Sequence, residues 1–271
     1  MNKPVRDSAC LWEALDRVRS SDAAPFTNLF AVPEKIESWI ARGSLSLWQS
    51  EGALLLLRQD HGLKRIYHYA AHLEALDAAL HSSAADPAAS GVLTVDLVGR
   101  STDLEPVASI YRRSGFSDHN LLIRMVSNLI PEPATQSEPG VEFAEAADTA
   151  AAAAFLDSLL DPYTDQIPDE NEIREAAVNR NILLAWRGEA VVGLLHFELA
   201  GLTSHLRYWY VDSSARNRGL GRGLIREYFR LSAGSKRLIL WVVGDNSDSI
   251  AKYSHYGFRP DTLVDRIMIR R

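Results

Sequence analysis

Arg216-Asn-Arg-Gly219-Leu-Gly221-Arg-Gly223-Leu224 follows an aromatic, strand-like run, Leu206-Arg-Tyr-Trp-Tyr-Val211, and opens a helical pattern with apolar residues at Leu220, Leu224, Tyr228 and Leu231. Strand, basic glycine-rich turn and helix in that order make an anion site. Glycines let the backbone approach closely and turn its N–H groups toward one point. The helix start adds donors without intrahelical partners and the positive end of a dipole. Arg216, Arg218 and Arg222 add full charges at the same turn. Close packing of helix on strand would account for the glycines alone, but not for three arginines around them.

On both sides of this turn the second half of the chain reads as a full set of elements. Val141 to Ala144 suits a short strand, and Thr149 to Leu160 and Glu170 to Asn179 suit helices, separated by the acidic loop Asp161 to Pro168. Ile182 to Trp186 and Ala190 to Leu199 are apolar runs joined by Arg187-Gly-Glu189, a hairpin signal, and Ser204 to Val211 completes a meander. After the glycine helix, Arg237 to Val243 is a continuous apolar run, as expected of a strand buried on both faces. Asp245-Asn-Ser-Asp248 carries N-cap chemistry for a helix that ends at Gly257. A last strand-like run ends Arg266-Ile-Met-Ile-Arg270.

The first half gives the same order: helices at Cys10 to Val18 and Pro33 to Ala41, a meander from Leu45 to Tyr69, a helix at Leu73 to Leu80, a strand at Val92 to Val98, a helix at Leu104 to Arg113 and a strand at Asn120 to Met125. Tyr111-Arg-Arg-Ser-Gly115-Phe116 and Tyr253-Ser-His-Tyr-Gly257-Phe258 share one spacing, and Ile66-Tyr-His-Tyr69 resembles Arg207-Tyr-Trp-Tyr210. Ile130-Pro-Glu-Pro-Ala-Thr-Gln-Ser-Glu-Pro-Gly140 separates the halves and suits an extended linker. The expected fold class is α/β, of the α+β type. It has two tandem domains, 1–130 and 141–271, joined by 131–140. Each is a mixed, mostly antiparallel sheet flanked by helices, and together they derive from duplication.

Composition narrows the function. The 271 residues carry a formal net charge of -6, which argues against nucleic acid as a partner and makes the basic turn a local exception. A single cysteine, Cys10, leaves no internal disulfide and no thiolate cluster. His68 and His72 have metal-like spacing but no third ligand, so no metal is expected. No apolar run approaches membrane-spanning length and the first residues are polar, so a cytoplasmic protein without a membrane partner is the expectation. Monomer and homodimer both stay open.

The residues of the second half resemble the GNAT superfamily of acyl-CoA-dependent N-acyltransferases. Arg216-Asn-Arg-Gly219-Leu-Gly221 is similar to the family's pyrophosphate signature, and Asn246, Tyr253 and Gly257-Phe258 to its second block. The resemblance spans Val141 to Arg271. In the first half only Gly-Phe is recognisable. There Tyr69 is followed by Ala70-Ala-His-Leu73 with no arginine or glycine, so the first domain looks like a degenerate GNAT-like copy without a cofactor loop.

The resemblance implies acetyl-CoA or another acyl-CoA as donor, with coenzyme A released. Main-chain groups near Val211 would bind the pantetheine arm, and Arg216, Asn217, Arg218, Gly219, Leu220, Gly221, Arg222 and Gly223 the pyrophosphate, with Asn246 alongside. Tyr253 would be the catalytic acid that protonates the leaving thiolate. A primary amine would attack directly in a ternary complex after losing its proton to a base. The base is not legible: Glu198, His196, Tyr208 and Tyr210 are each compatible with ordinary strand positions, and His205 with a surface histidine. Acidity of the Asp161–Glu170 region would favour a cationic acceptor; a solvated capping loop explains it equally. Two other classes stay in view. One is a non-catalytic acyl-CoA-binding or sensing module. The other is a dinucleotide oxidoreductase, against which stand the glycine spacing and the antiparallel meander.

Overall fold

The computed structural model describes residues 3–19, 25–84, 90–129, 139–216 and 218–271. The expected linker therefore lies outside the described residues, apart from 139–140. The elements in chain order are β1 (Lys3–Pro4), α1 (Ser8–Val18), β2 (Phe26–Thr27), α2 (Pro33–Ala41), β3 (Leu45–Ser50), β4 (Ala53–Asp60), β5 (Leu63–Ala70), α3 (Leu73–Ser83), β6 (Leu93–Arg100), α4 (Ser101–Arg113), β7 (Ser117–Ser127), β8 (Glu142–Phe143), α5 (Thr149–Asp157), α6 (Glu170–Val178), β9 (Ile182–Arg187), β10 (Ala190–Ala200), β11 (Thr203–Val211), α7 (Leu220–Leu231), β12 (Arg237–Val243), α8 (Ser247–His255) and β13 (Arg259–Arg270). The mixed α/β class and the mostly antiparallel pairing follow the sequence reading, which did not anticipate the two-residue strands β1 and β2 and ran α5 on to Leu160.

Two compact units emerge: Met1–Leu121 with Thr262–Arg271, and Leu122–Asp261. A division of the sequence at 131–140 does not express this, because each half lends its final strand to the other unit. In unit 1, β13 pairs antiparallel with β6 from Leu263↔Arg100 to Arg270↔Leu93. In unit 2, β7 pairs antiparallel with β12 from Leu122↔Val243 to Ser127↔Leu238. The exchanged strands carry core residues: Met268 is fully buried in the cluster formed by β4–β6, α3 and α4, and Met125 in that formed by β9–β12, α7 and α8. Met268→Ala is therefore expected to destabilise unit 1 by about 2–5 kcal/mol. Amide exchange should quicken along Leu93–Leu97 while Leu183–Ala185 stays as in the parent; the reverse pattern would contradict the strand assignment.

Local chemistry sets the elements of each unit. Asp7 caps α1 by accepting from Ala9 N at 2.8 Å, and Leu11, Ala14, Leu15 and Val18 form its buried stripe. Asp169 and Glu172 form a reciprocal capping box on α6. Both Tyr-to-Gly-Phe segments end their helices alike. Gly115 and Gly257 have φ of +87° and +92°, and Phe116 N and Phe258 N donate back to Tyr111 O and Tyr253 O at 3.0 and 3.2 Å.

In unit 2 the meander β9–β11 has a core on each face. One face meets α5 and α6 through Ile182, Leu184, Leu194 and Tyr208. The other meets α7 through Leu183, Leu195, Phe197 and Trp209. β12 corrects the expectation of a strand buried on both faces. Leu238, Leu240 and Val242 are buried, while Ile239, Trp241 and Val243 are only half-buried. The α5–α6 layer takes residues from β9, β10 and β11 and none from β12, so that face of β12 is only partly covered. Among the described residues no helix is long and apolar enough to cross a membrane.

Candidate active site

Opposite β10, β11 carries one extra residue: His196 faces Tyr208 and Phe197 faces Leu206, leaving Arg207 as a bulge. A bulge bends its strand and raises the local twist. The parallel pairing of β11 with β12 runs from Thr203↔Arg237 to Leu206↔Leu240 and ends where the bulge begins. From there the two strands part, and a wedge opens at their carboxyl ends. Val211, half-buried, and Trp209 line the α7 side of that wedge.

The glycine turn stands at its mouth. Asp212 N donates to Val192 O at 2.9 Å, and the Asp212 carboxylate accepts from Ser214 N at 2.8 Å, which fixes the chain's exit from β11. Hydrogen bonds from Ser214, with Arg187 and Arg216 nearby, hold the Asp212 carboxyl below its ordinary pKa. Asn217 lies outside the described residues. Gly219 caps α7 with φ +82°, a conformation that side-chain-bearing residues rarely adopt, and no side chain caps the helix. The first-turn amides of Leu220, Gly221 and Arg222 thus point out of the helix without a capping side chain. A Cβ on Gly221 would stand 3.5 Å from Val211 Cγ2 and 3.8 Å from Trp209 Cζ2, so its absence keeps the floor low. Gly223 is buried, and its N–H donates to Gly219 O at 2.9 Å. Arg216, Arg218 and Arg222 are exposed around the turn. The matching position in unit 1 is closed: His72 caps α3, its Nδ1 accepting from Ala75 N at 3.1 Å.

Tyr253 comes to the same wedge from the last turn of α8. Its ring packs against Trp209 at 5.8 Å and edge-on against Phe258 at 6.1 Å. Burial pushes its pKa up to about 12, so the phenol keeps its proton at neutral pH. Tyr210, on the α5–α6 side, also titrates above its ordinary value, through burial first and then Asp165, Tyr253 and Tyr208. Asn246 caps α8, its Oδ1 accepting from Ser249 N at 3.0 Å.

Two residues escaped the sequence reading. Lys252 lays its Nζ 3.8 Å over the Trp209 ring, and burial, then Arg216, lower its pKa. Trp209 Nε1 is buried without a hydrogen-bond partner among the described residues and would lie 3.9 Å from a Cβ on Gly221. A buried, unmatched donor beside the glycine floor fits an incoming acceptor atom. The only advance signal was adjacency: Lys252 precedes Tyr253, and Trp209 sits inside the aromatic run.

The remaining polar residues have structural tasks. Asp161 accepts from Tyr163 N and Thr164 Oγ1, Asp165 accepts from Asp161 N, and Asp169 caps α6, so these carboxylates shape their own loop. That loop lies over β11, where Tyr208 Oη donates to Gln166 O at 2.7 Å. His205 is half-buried. Burial, then Arg207, His196 and Arg124, hold its pKa well below the ordinary value. His68 is buried, with Nδ1 3.0 Å from Tyr111 Oη. Among the described residues no group of three or more His, Cys, Asp and Glu could hold a metal ion.

The meander thus parts from β12 beside a glycine-capped helix, with Tyr253 packed on Trp209 nearby. Residues 149–258 match the model of the acetyltransferase (GNAT) family, and this part of the chain is a GNAT domain. Among solved structures, the fold resembles a GCN5-related N-acetyltransferase from Sphaerobacter thermophilus, with 13% identity, TM-score 0.58 and coverage of 100% of this chain and 95% of that one. It also resembles a GNAT-family acetyltransferase from Colwellia psychrerythraea (10% identity, TM-score 0.56, 99% and 98% coverage). A probable N-acyltransferase from Enterococcus faecalis gives 12% identity and TM-score 0.60, with 100% and 72% coverage. At these identities the likeness is one of fold, and it extends over both units. No curated protein matches the chain in sequence.

Proposed function

We propose that unit 2 is an acyl-CoA-dependent N-acyltransferase, with acetyl-CoA as donor and a primary amine as acceptor, and that unit 1 is a degenerate copy. The observation that carries this is a coincidence in space. The strands part after Leu206, and both the uncapped start of α7 and Tyr253 border Trp209 there: a Cβ on Gly221 would stand 3.8 Å from its Cζ2, and the Tyr253 ring packs on it at 5.8 Å. An elongated donor with a diphosphate would run from that helix start along the parted strands. The diphosphate lies on Gly219–Gly223 with Arg216, Arg218, Arg222 and Lys252 around it. Asn217, between Arg216 and Arg218 in the sequence, is proposed to contribute to the same contact. The amide-bearing arm lies along Val211, with the Trp209 indole N–H as an added donor.

The acceptor approaches from the α5–α6 side, past Tyr210. It attacks as the neutral amine, which must shed a proton because an alkylamine has a pKa of about 10.4. Tyr253 carries the proton that the departing thiolate needs. Acetyl-CoA titrated by calorimetry is expected to bind at one equivalent per chain. A panel of amines followed by thiol release then finds the acceptor. Binding without acylation of any amine would make unit 2 a sensor, and no binding would remove the proposal.

A further inference from the structure

Unit 1 has its own parting strands, and something already sits between them. The parallel pairing of β5 with β6 covers Lys64↔Leu93 and Arg65↔Thr94. Immediately beyond it, the side-chain amide of Asn28 stands in the gap. Its Nδ2 donates to Ile66 O on β5 and to Asp96 O on β6, both at 3.0 Å. Its Oδ1 accepts from His68 N at 2.6 Å. Asn28 is 7% exposed, and these bonds use both donors and the acceptor of its amide. The flanking backbone joins in: Phe26 and Thr27 pair antiparallel with Ala70 and Tyr69, Thr27 Oγ1 donates to His68 O at 2.8 Å and accepts from Leu29 N at 3.0 Å. At the far side, Tyr111, in the position matching Tyr253, is fully buried with its hydroxyl 3.0 Å from His68 Nδ1.

We propose that Phe26–Leu29 is a built-in ligand of unit 1. An extended segment lies along one strand and presents a carboxamide to both, which is what an outside amide-bearing chain would have to do to enter. Because the segment is tethered, its effective concentration at the gap is on the order of millimolar or more, and a free ligand competes poorly with it. Unit 1 is therefore closed to extended ligands by its own sequence, beyond lacking a phosphate turn. The proposal rests on bonds inside unit 1 and does not depend on what unit 2 binds.

Amide exchange on the full chain tests it. Asn28→Ala is expected to speed exchange of His68 N–H by at least about tenfold, with Ala70 following, because a buried donor loses its acceptor and the segment loses its anchor. Amides of Leu183–Ala185 in unit 2 serve as the internal reference and should not change. Unaltered exchange at His68 would overturn the proposal, since the strands would then be held without the plug. Should the alanine variant fail to fold, Thr27→Val is the milder probe. It keeps the shape and removes one donor and one acceptor. Exchange of Leu29 N–H and His68 N–H should then rise by roughly threefold or more, and parent-like rates at both would equally overturn the assignment.

Discussion

Replacing Gly221 with aspartate is expected to abolish binding of acetyl-CoA while the chain folds as before. The fold tolerates the change because a Cβ at 221 meets only Val211 Cγ2 at 3.5 Å and Trp209 Cζ2 at 3.8 Å, ordinary contacts. A carboxylate in the first turn of α7 also favours the helix, through the dipole and by removing a flexible glycine. For a diphosphate on the same amides it is ruinous. Two unit charges of like sign 5 Å apart in a partly buried site repel by about 3 kcal/mol, or roughly a hundredfold in affinity, and a diphosphate brings more than one charge. The carboxylate can also take the first-turn amides for itself, as His72 does at α3. Gly221→Ala separates charge from bulk: its methyl should leave affinity within about tenfold. Calorimetry with acetyl-CoA and thermal melts on both variants settle the matter. Full affinity in the aspartate variant would remove the anion site from the turn.

That turn was legible because its chemistry is local. Gly219, Gly221 and three arginines crowd one strand–helix junction, and no distant residue is needed to read them. The order of elements was legible for the same reason, since helix and strand periods are written within each segment. The wedge was not, because it depends on a bulge at Arg207 and on where pairing between β11 and β12 stops, and neither has a compositional mark. Strand exchange was hidden because β7 and β13 each follow a matching helix and carry interchangeable apolar patterns. The Asn28 plug joins residues 38 and 68 positions apart in the chain, through an asparagine that in sequence reads as loop. The environment of His205 was not legible because one of the charges that lowers its pKa, Arg124, comes from β7, two strands away in the same sheet.

The acid role of Tyr253 makes the second large prediction. Tyr253→Phe should leave the affinity for acetyl-CoA within about twofold, since the ring still packs on Trp209 and Phe258, and lower kcat by roughly a hundredfold, as loss of a positioned proton donor does. A residue that merely packs would change neither. The pH dependence gives an independent check with a definite sign. In the unfolded chain the phenol ionises near its ordinary value of 10.0; in the fold burial pushes it up to about 12. Its contribution to stability is therefore complete below the unfolded value and is lost as pH rises through that window, where the unfolded state gains charge and the folded state does not. The phenylalanine variant has no such group, so its melting temperature should fall less steeply than that of the parent across the same range. Tyr67 and Tyr228 are raised similarly and remain in both proteins, so the difference between the two curves isolates position 253. A parallel pair of curves would mean that the phenol is already solvated, and a solvated phenol beside the wedge would lose to water as the thiolate's proton source.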